Sequence, residues 1–238
     1  MSVMGPHVAV SDCKLLRMLQ KKGRPVNRGK NRLSVSRHKY VRVGLSAKRN
    51  GQGIISNRGT NSSAVEEILD NFIARTENIV REYVPTEEMR ALFCARKLVP
   101  FGCLLPGSLP LFGSLAVATD YHSACHVDDD FWLSNLTVRV SGSCDSDAAI
   151  NIEPNPLPAQ AFLFPTIGVT VLLRPGDNLI FNPTIPHCCC PKFSQYESLS
   201  VHLCSFYLSS RVVGGNDNST PPTEAQLDAA RFARNLPN

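Results

Sequence analysis

Two histidines and one aspartate, His126, Asp128 and His187, are the residues of this 238-residue chain whose types and spacing could do chemistry. His126 and Asp128 stand two apart in YHSACHVDDD, Tyr121 to Asp130, so on a strand both side chains face the same way. A second imidazole arriving from a later strand, His187 in NPTIPHCC, would complete a two-histidine, one-carboxylate set on one face of a metal and leave the other face open. That donor set suits non-haem Fe(II) and dioxygen, with an apolar shell protecting whatever oxidant forms. The rival arrangements are poorer. His122 and His126 have the i, i+4 spacing of a helical pair, but the flanking pattern is that of strands. Cys188, Cys189 and Cys190 alternate in direction on a strand and cannot all meet one ion, and no paired CxxC spacing supports zinc.

The elements that must position these residues begin near Asn61. Ser63 to Glu66 fits a capping box, and Val65, Ile68, Leu69, Phe72, Ile73, Thr76, Ile79, Val80 and Tyr83 recur at helical spacing, so a helix is expected up to Pro85. A second helix is expected over residues 86–97, and both should pack on the outside of a sheet. From Val99 the pattern becomes short apolar runs broken by Pro and Gly. The expected strands are 114–119, 124–127, 135–140, 161–164, 168–173, 178–181, 187–190 and 198–208. Eight short strands with tight turns give a fold that is mainly β with flanking α-helices, a sandwich or jelly roll. A short helix is expected over residues 224–234.

Charge divides the chain. Residues 1–50 hold thirteen Lys and Arg against one acid, Asp12, a net +12, whereas residues 51–238 hold twelve against nineteen, a net −7. Residues 1–60 therefore read as a basic arm, expected to be disordered until it binds, ahead of a folded domain over 61–238. Within the arm, KKGRPVNRGK from Lys21 to Lys30 is similar to an AT-hook. Arg24 would enter a narrow minor groove, while Lys21, Lys22, Arg28, Lys30 and Arg32 would meet phosphates. The same run reads equally well as a nuclear-import signal or a solvated basic tail, and a nuclear location is expected. DNA is the expected partner, with no membrane and no protein partner. No run of eighteen apolar residues occurs, and the N-terminus lacks a secretory pattern, so the nine cysteines are expected to stay reduced.

The second histidine sits in GDNLIFNPTIPH, preceded by FPTIGVTVLLRPGD and followed by CSFYLSSRVVGGNDN. With HVD, these segments resemble the Fe(II)/2-oxoglutarate dioxygenases, and within them the branch of TET and J-binding nucleobase oxygenases, over roughly residues 116–218. The resemblance implies a double-stranded β-helix, Fe(II) on His126, Asp128 and His187, and 2-oxoglutarate as co-substrate. It also implies oxidation of 5-methylcytosine in DNA, with the base flipped into the pocket and the basic arm supplying phosphate contacts. The alternatives are a hydroxylase of protein or small-molecule substrates on the same fold, or an inactive DNA-binding relative.

The sequence departs from the pattern at the co-substrate. Such enzymes anchor the 2-oxoglutarate carboxylate with an Arg or Lys some ten to fifteen residues after the second histidine. Here residue 197 is Glu, and the window offers His202, with Lys192 before it and Arg211 beyond it. Either Arg211, His202 or Lys192 binds the co-substrate in altered geometry, or an ascorbate-like molecule replaces it.

Overall fold

The fold, taken from a computed structural model, describes residues 15, 16, 19, 40–47, 54–57, 63–89, 111–142 and 156–210. Nine strands and one long helix, α1 at Ser63–Tyr83, organise them. The strands are β1 Tyr40–Ala47, β2 Ile54–Asn57, β3 Ser114–Thr119, β4 Ser134–Gly142, β5 Gln160–Phe164, β6 Val169–Leu173, β7 Asn178–Phe181, β8 Cys188–Cys189 and β9 Leu199–Tyr207. The larger sheet runs β2-β1-β3-β9-β4-β7 and the smaller β6-β5-β8, with every pairing antiparallel. On the free side of β8, His126 bridges His187 and stands where a fourth strand of the smaller sheet would lie. Four-strand order β3-β9-β4-β7 facing β6-β5-β8 plus that bridge is a double-stranded β-helix, or jelly roll.

Strand periodicity explains the two cores. On β9, Cys204 and Phe206 point to one side, where they join Leu69, Phe72, Ile73 and Val80 of α1 and Val41, Val43, Leu115 and Val117 of the sheet. Phe72 and Phe206 meet with ring centroids 5.5 Å apart, and each fully buried ring contributes roughly 1.5–3 kcal/mol of transfer free energy. The alternate residues of β9, Val201 and Leu203, face Leu136, Val138, Phe162, Phe164 and Leu173 between the two sheets. So α1 covers the outside of the larger sheet, and the space between the sheets is left for the site.

The expected helix from Ser63 and the strands from Ser114 and Asn178 are found, with β3 and β7 at their expected bounds. Two expectations are corrected. Residues 1–60 are not simply an arm, because Tyr40–Ala47 and Ile54–Asn57 are strands of the larger sheet and Leu15, Leu16 and Leu19 are buried helical residues of the core. The Val41-Arg42-Val43 alternation outweighs the basic composition around it. Residues 124–127 are not a strand either. Asp120 turns the chain at φ 48 at the end of β3, and the following loop touches the sheet at the one bridge of His126. Of the second helix, Thr86–Met89 are helical and residues 90–97 lie outside the described residues, as does 224–234. Among the described residues, no helix is long and apolar enough to cross a membrane.

Gly44 is where β1 passes from pairing with β3 to pairing with β2. Its φ of 101 lies where side chains are strained, and a Cβ there would overlap the Gly113 carbonyl oxygen. Gly44→Ala is expected to cost about 2 kcal/mol from backbone strain and overlap, read as a lowered urea midpoint; an unchanged midpoint would show that β1 yields at this point.

Candidate metal centre

The loop after β3 and the segment entering β8 are held together by reciprocal hydrogen bonds: His126 N–H donates to His187 O and His187 N–H to His126 O, both at 2.9 Å. Asp128 N–H donates to Pro183 O at 3.0 Å, and Ser123 N–H to Cys189 O at 3.1 Å. Gln160, fully buried on β5, reaches both segments, its amide donating to Tyr121 O and Cys190 O at 2.5 Å each. This backbone lacing places His126 and Asp128 beside His187 without the strand that the sequence pattern led one to expect.

The two histidines are oriented by the same local device. His126 Nδ1 lies 2.8 Å from Ala124 O, and His187 Nδ1 lies 2.8 Å from Ile185 O, in each case the carbonyl two residues earlier. A carbonyl only accepts, so the proton of each neutral ring sits on Nδ1 and the lone pair on Nε2. Both Nε2 atoms then turn to the Asp128 carboxylate: His126 Nε2 is 3.8 Å from Oδ1 and His187 Nε2 is 3.5 Å from Oδ2. Those separations exceed a good hydrogen bond and fit two donors sharing one ion. The donor atoms of His126, Asp128 and His187 all lie within 4.8 Å of one another, the one such cluster of His, Cys, Asp or Glu among the described residues.

The environment is graded from dry to open. The His187 side chain is 3% exposed, against 24% for His126 and 30% for Asp128. Phe162 stacks on the His187 ring at 5.3 Å and 18°, and Phe181 meets it edge-on at 5.2 Å. These rings fix the imidazole plane and keep water from its buried side. Towards the open side lies a cavity of about 230 Å³ between the sheets, lined by the triad, Asp129, Asp130, Tyr121, Ser205, Tyr207 and Arg42 among others. Burial, and then the neighbouring Asp128 charge, push the Asp130 carboxyl up to about 7 against the pull of Arg42. Cys189 also lines the cavity, and burial raises its thiol far above the ordinary value, so it stays protonated. Cys188 and Cys190 flank it in the alternation expected of a strand. Trp132 packs against the helix-side core and donates to Glu88 Oε2 at 2.6 Å.

Two of the expected co-substrate residues, His202 and Lys192, do not line the cavity. His202 is fully buried on β9 and faces away, on the side of Cys204 and Phe206, between the hydroxyls of Thr119 at 3.1 Å and Ser141 at 2.7 Å. Lys192 pairs with Asp120 at 3.2 Å and donates to Leu199 O at 2.7 Å, tying the turn between β8 and β9. Arg211 lies outside the described residues, as do Lys21, Lys22, Arg24, Arg28, Lys30 and Arg32. Among the described residues, the cation that lines the cavity is Arg42 of β1, which the sequence reading missed. It stands opposite Ala116, which pairs with Ser205, which pairs with Leu136, and all four line the cavity as one rung across the larger sheet. Its guanidinium is 5.7 Å from the Tyr207 ring centroid. The available signal was the period-two pattern Val41-Arg42-Val43, two core residues around one that points the other way.

No family model matches the chain, and no curated protein matches it. Among solved structures, it is similar to a prolyl-4-hydroxylase of Pseudomonas putida, at 13% identity and TM-score 0.43, covering 85% of this chain and 86% of that one. It is similar to a prolyl hydroxylase of Trichoplax adhaerens, in complex with a hypoxia inducible factor peptide fragment, at 14% identity and TM-score 0.41, covering 88% and 82%. It is also similar to a 2OG-Fe(II) oxygenase family oxidoreductase of Burkholderia pseudomallei, at 12% identity and TM-score 0.44, covering 90% and 93%. At such identities and TM-scores the likeness decides nothing about substrate or co-substrate; the donor set and the cavity must.

Proposed function

We propose that the chain is a non-haem Fe(II) oxygenase that takes 2-oxoglutarate as co-substrate and hydroxylates a slender group, a protein side chain or a small molecule. The observation that carries the reading is the pair of imidazoles with Nδ1 capped by a carbonyl and Nε2 turned to one carboxylate. When bound, Fe(II) supplies the activation of dioxygen, with the organic co-substrate as reductant. His126, Asp128 and His187 hold the ion; Phe162 and Phe181 keep His187 in plane and dry; Arg42 offers a planar cationic fork to a carboxylate. A carboxylate-binding fork favours 2-oxoglutarate over an ascorbate-like molecule.

The cavity of about 230 Å³ is small beside the ~300–1,000 Å³ of pockets that bury whole drug-sized ligands, and 2-oxoglutarate would take part of it, which suits a slender substrate group. Incubation with Fe(II), dioxygen and 2-oxoglutarate is expected to yield succinate, and a peptide or metabolite pool to gain one oxygen. Loss of 5-methylcytosine from methylated DNA in the same vessel would restore the nucleobase reading.

The basic stretch keeps a separate proposal, carried by the net charge of +12 over residues 1–50: it holds DNA by phosphate contacts and directs the chain to the nucleus. Deleting residues 1–50 would remove β1, so the test is substitution. Glutamine at Lys21, Lys22, Arg24, Arg28, Lys30 and Arg32 is expected to weaken DNA binding and flatten its salt dependence by several units of slope. An unchanged slope would remove DNA as a partner of this stretch.

A further inference from the structure

The loop that carries His126 and Asp128 is entered and left through strained residues. Among the described residues, Asp120 at φ 48 and Trp132 at φ 66 are the two that are not glycine and have a positive φ. Asp120 precedes the loop and Trp132 closes it, with both ligands between them. An aspartate tolerates the left-handed region, but a bulky tryptophan rarely enters it, and such outliers persist only where the surroundings hold them. The entry is fixed by β9, since Asp120 N–H donates to Val201 O at 2.7 Å and Val201 N–H to Asp120 Oδ1 at 2.9 Å. The exit is fixed from another direction. The Trp132 indole packs on the helix-side core, and its Nε1–H donates to Glu88 Oε2 at 2.6 Å, a short bond to a carboxylate 44 positions away in the chain. Glu88 stands in the helical turn Thr86–Met89 that follows α1, where Met89 N–H donates to Pro85 O at 3.1 Å.

We infer that Glu88 and Trp132 are positioning residues of the triad: their hydrogen bond latches the loop exit in its strained turn and so holds Asp128, and with it His126, against His187. The inference rests on the reading of the triad as a metal site. Only Asp129, Asp130 and Phe131 separate Asp128, which lines the cavity, from Trp132, which packs on the helix side. Over that short link the backbone has little slack. Asp128 N–H donates to Pro183 O at 3.0 Å, Phe131 N–H to Leu208 O at 2.5 Å and Ser210 N–H to Asp129 O at 3.2 Å. A Trp132 relaxed to negative φ would redirect the chain at Phe131 and Leu133 and pull on each of these bonds in turn. Neither Glu88 nor Trp132 lines the cavity, so both act through the loop and not on a bound molecule.

Trp132 is the one tryptophan of the chain, so its fluorescence reports the latch directly. In the metal-free, full-length chain, Glu88→Ala is expected to move the emission to longer wavelength. Amide exchange across residues 121–131 is expected to quicken by about tenfold, with β3 and β9 as slow as in the parent. Co(II) affinity is expected to fall by about tenfold, the scale of losing a partner that orients a metal ligand. Trp132→Phe keeps a ring and loses the donor; it should show the same exchange and affinity changes, and the double variant no more than either single one. Glu88→Gln keeps an acceptor and should stay close to the parent in all three readings. Exchange that quickens equally everywhere, or a lower melting midpoint with loop exchange and Co(II) affinity unchanged, would show a merely structural contact and overturn the latch. An unshifted emission in Glu88→Ala would overturn it too. A parent that binds no Co(II), while its loop exchange still answers to Glu88→Ala, would sink the metal reading and leave the latch standing.

Discussion

Asp128→Ala is expected to reduce Fe(II) affinity by about a thousandfold, roughly 4 kcal/mol, while leaving the fold intact. Asp128 is the single carboxylate of the donor set, and both Nε2 atoms are arranged around it. Its side chain is about one third exposed, and its backbone hydrogen bond to Pro183 survives the substitution, so little packing is lost. His187→Ala would remove the metal too, but it would also empty a site enclosed by Phe162, Phe164 and Phe181, mixing a cavity cost of a few kcal/mol into the result. Asp128→Ala is therefore the cleaner experiment. Anaerobic titration with Fe(II), or with Co(II) as a coloured substitute, reads the affinity. The melting temperature of the chain with and without metal reads the linkage, a rise in the parent protein that vanishes in the variant. An iron-replete, folded Asp128→Ala protein would falsify the triad.

The parts of this molecule that were legible in its sequence are those decided by local pattern. Helix α1 announces itself by its apolar stripe, and β3 and β7 by short apolar runs between turn residues. The triad was legible because HVD and the later His187 carry chemistry in their types, and the jelly roll supplies the return path. What was not legible depends on long-range pairing. The strand β1 hides inside a basic, glycine-containing stretch because composition was averaged over sixty residues, whereas a strand is decided by alternation over four or five. The co-substrate residues were sought along the chain after His187, but β9 alternates, so His202 falls on the helix side while Leu203 and Ser205 face the cavity. The stretch Ala124–Val127 looks like a strand by composition and is held by one bridge, because its neighbours spend their backbone groups on Pro183 and Cys189.

Arg42→Ala is expected to weaken 2-oxoglutarate binding by about a hundredfold, close to 3 kcal/mol, the scale of removing one partner of a buried charge pair. Across its rung stand Ala116 and Ser205, small residues that leave space above the sheet where a larger pair would fill it. Leu203 and Ala118 continue that floor, so a short dicarboxylate can lie between the guanidinium and the open side of the triad. Arg42 also faces the acidic run Asp128 to Asp130 across the cavity and pulls on the Asp130 carboxyl, so a competing role is simple charge balance. The two roles separate cleanly. An anchor loses 2-oxoglutarate affinity in Arg42→Ala with Fe(II) affinity unchanged, and Arg42→Lys restores part of it, since an ammonium keeps the charge but not the fork. A charge balancer changes stability and leaves the 2-oxoglutarate dissociation constant where it was. Lys192→Ala is the control: its ammonium is engaged by Asp120 and Leu199 O, outside the cavity lining, and co-substrate binding should not change. If Lys192→Ala lost the co-substrate and Arg42→Ala kept it, the carboxylate would belong to the turn between β8 and β9 and not to β1.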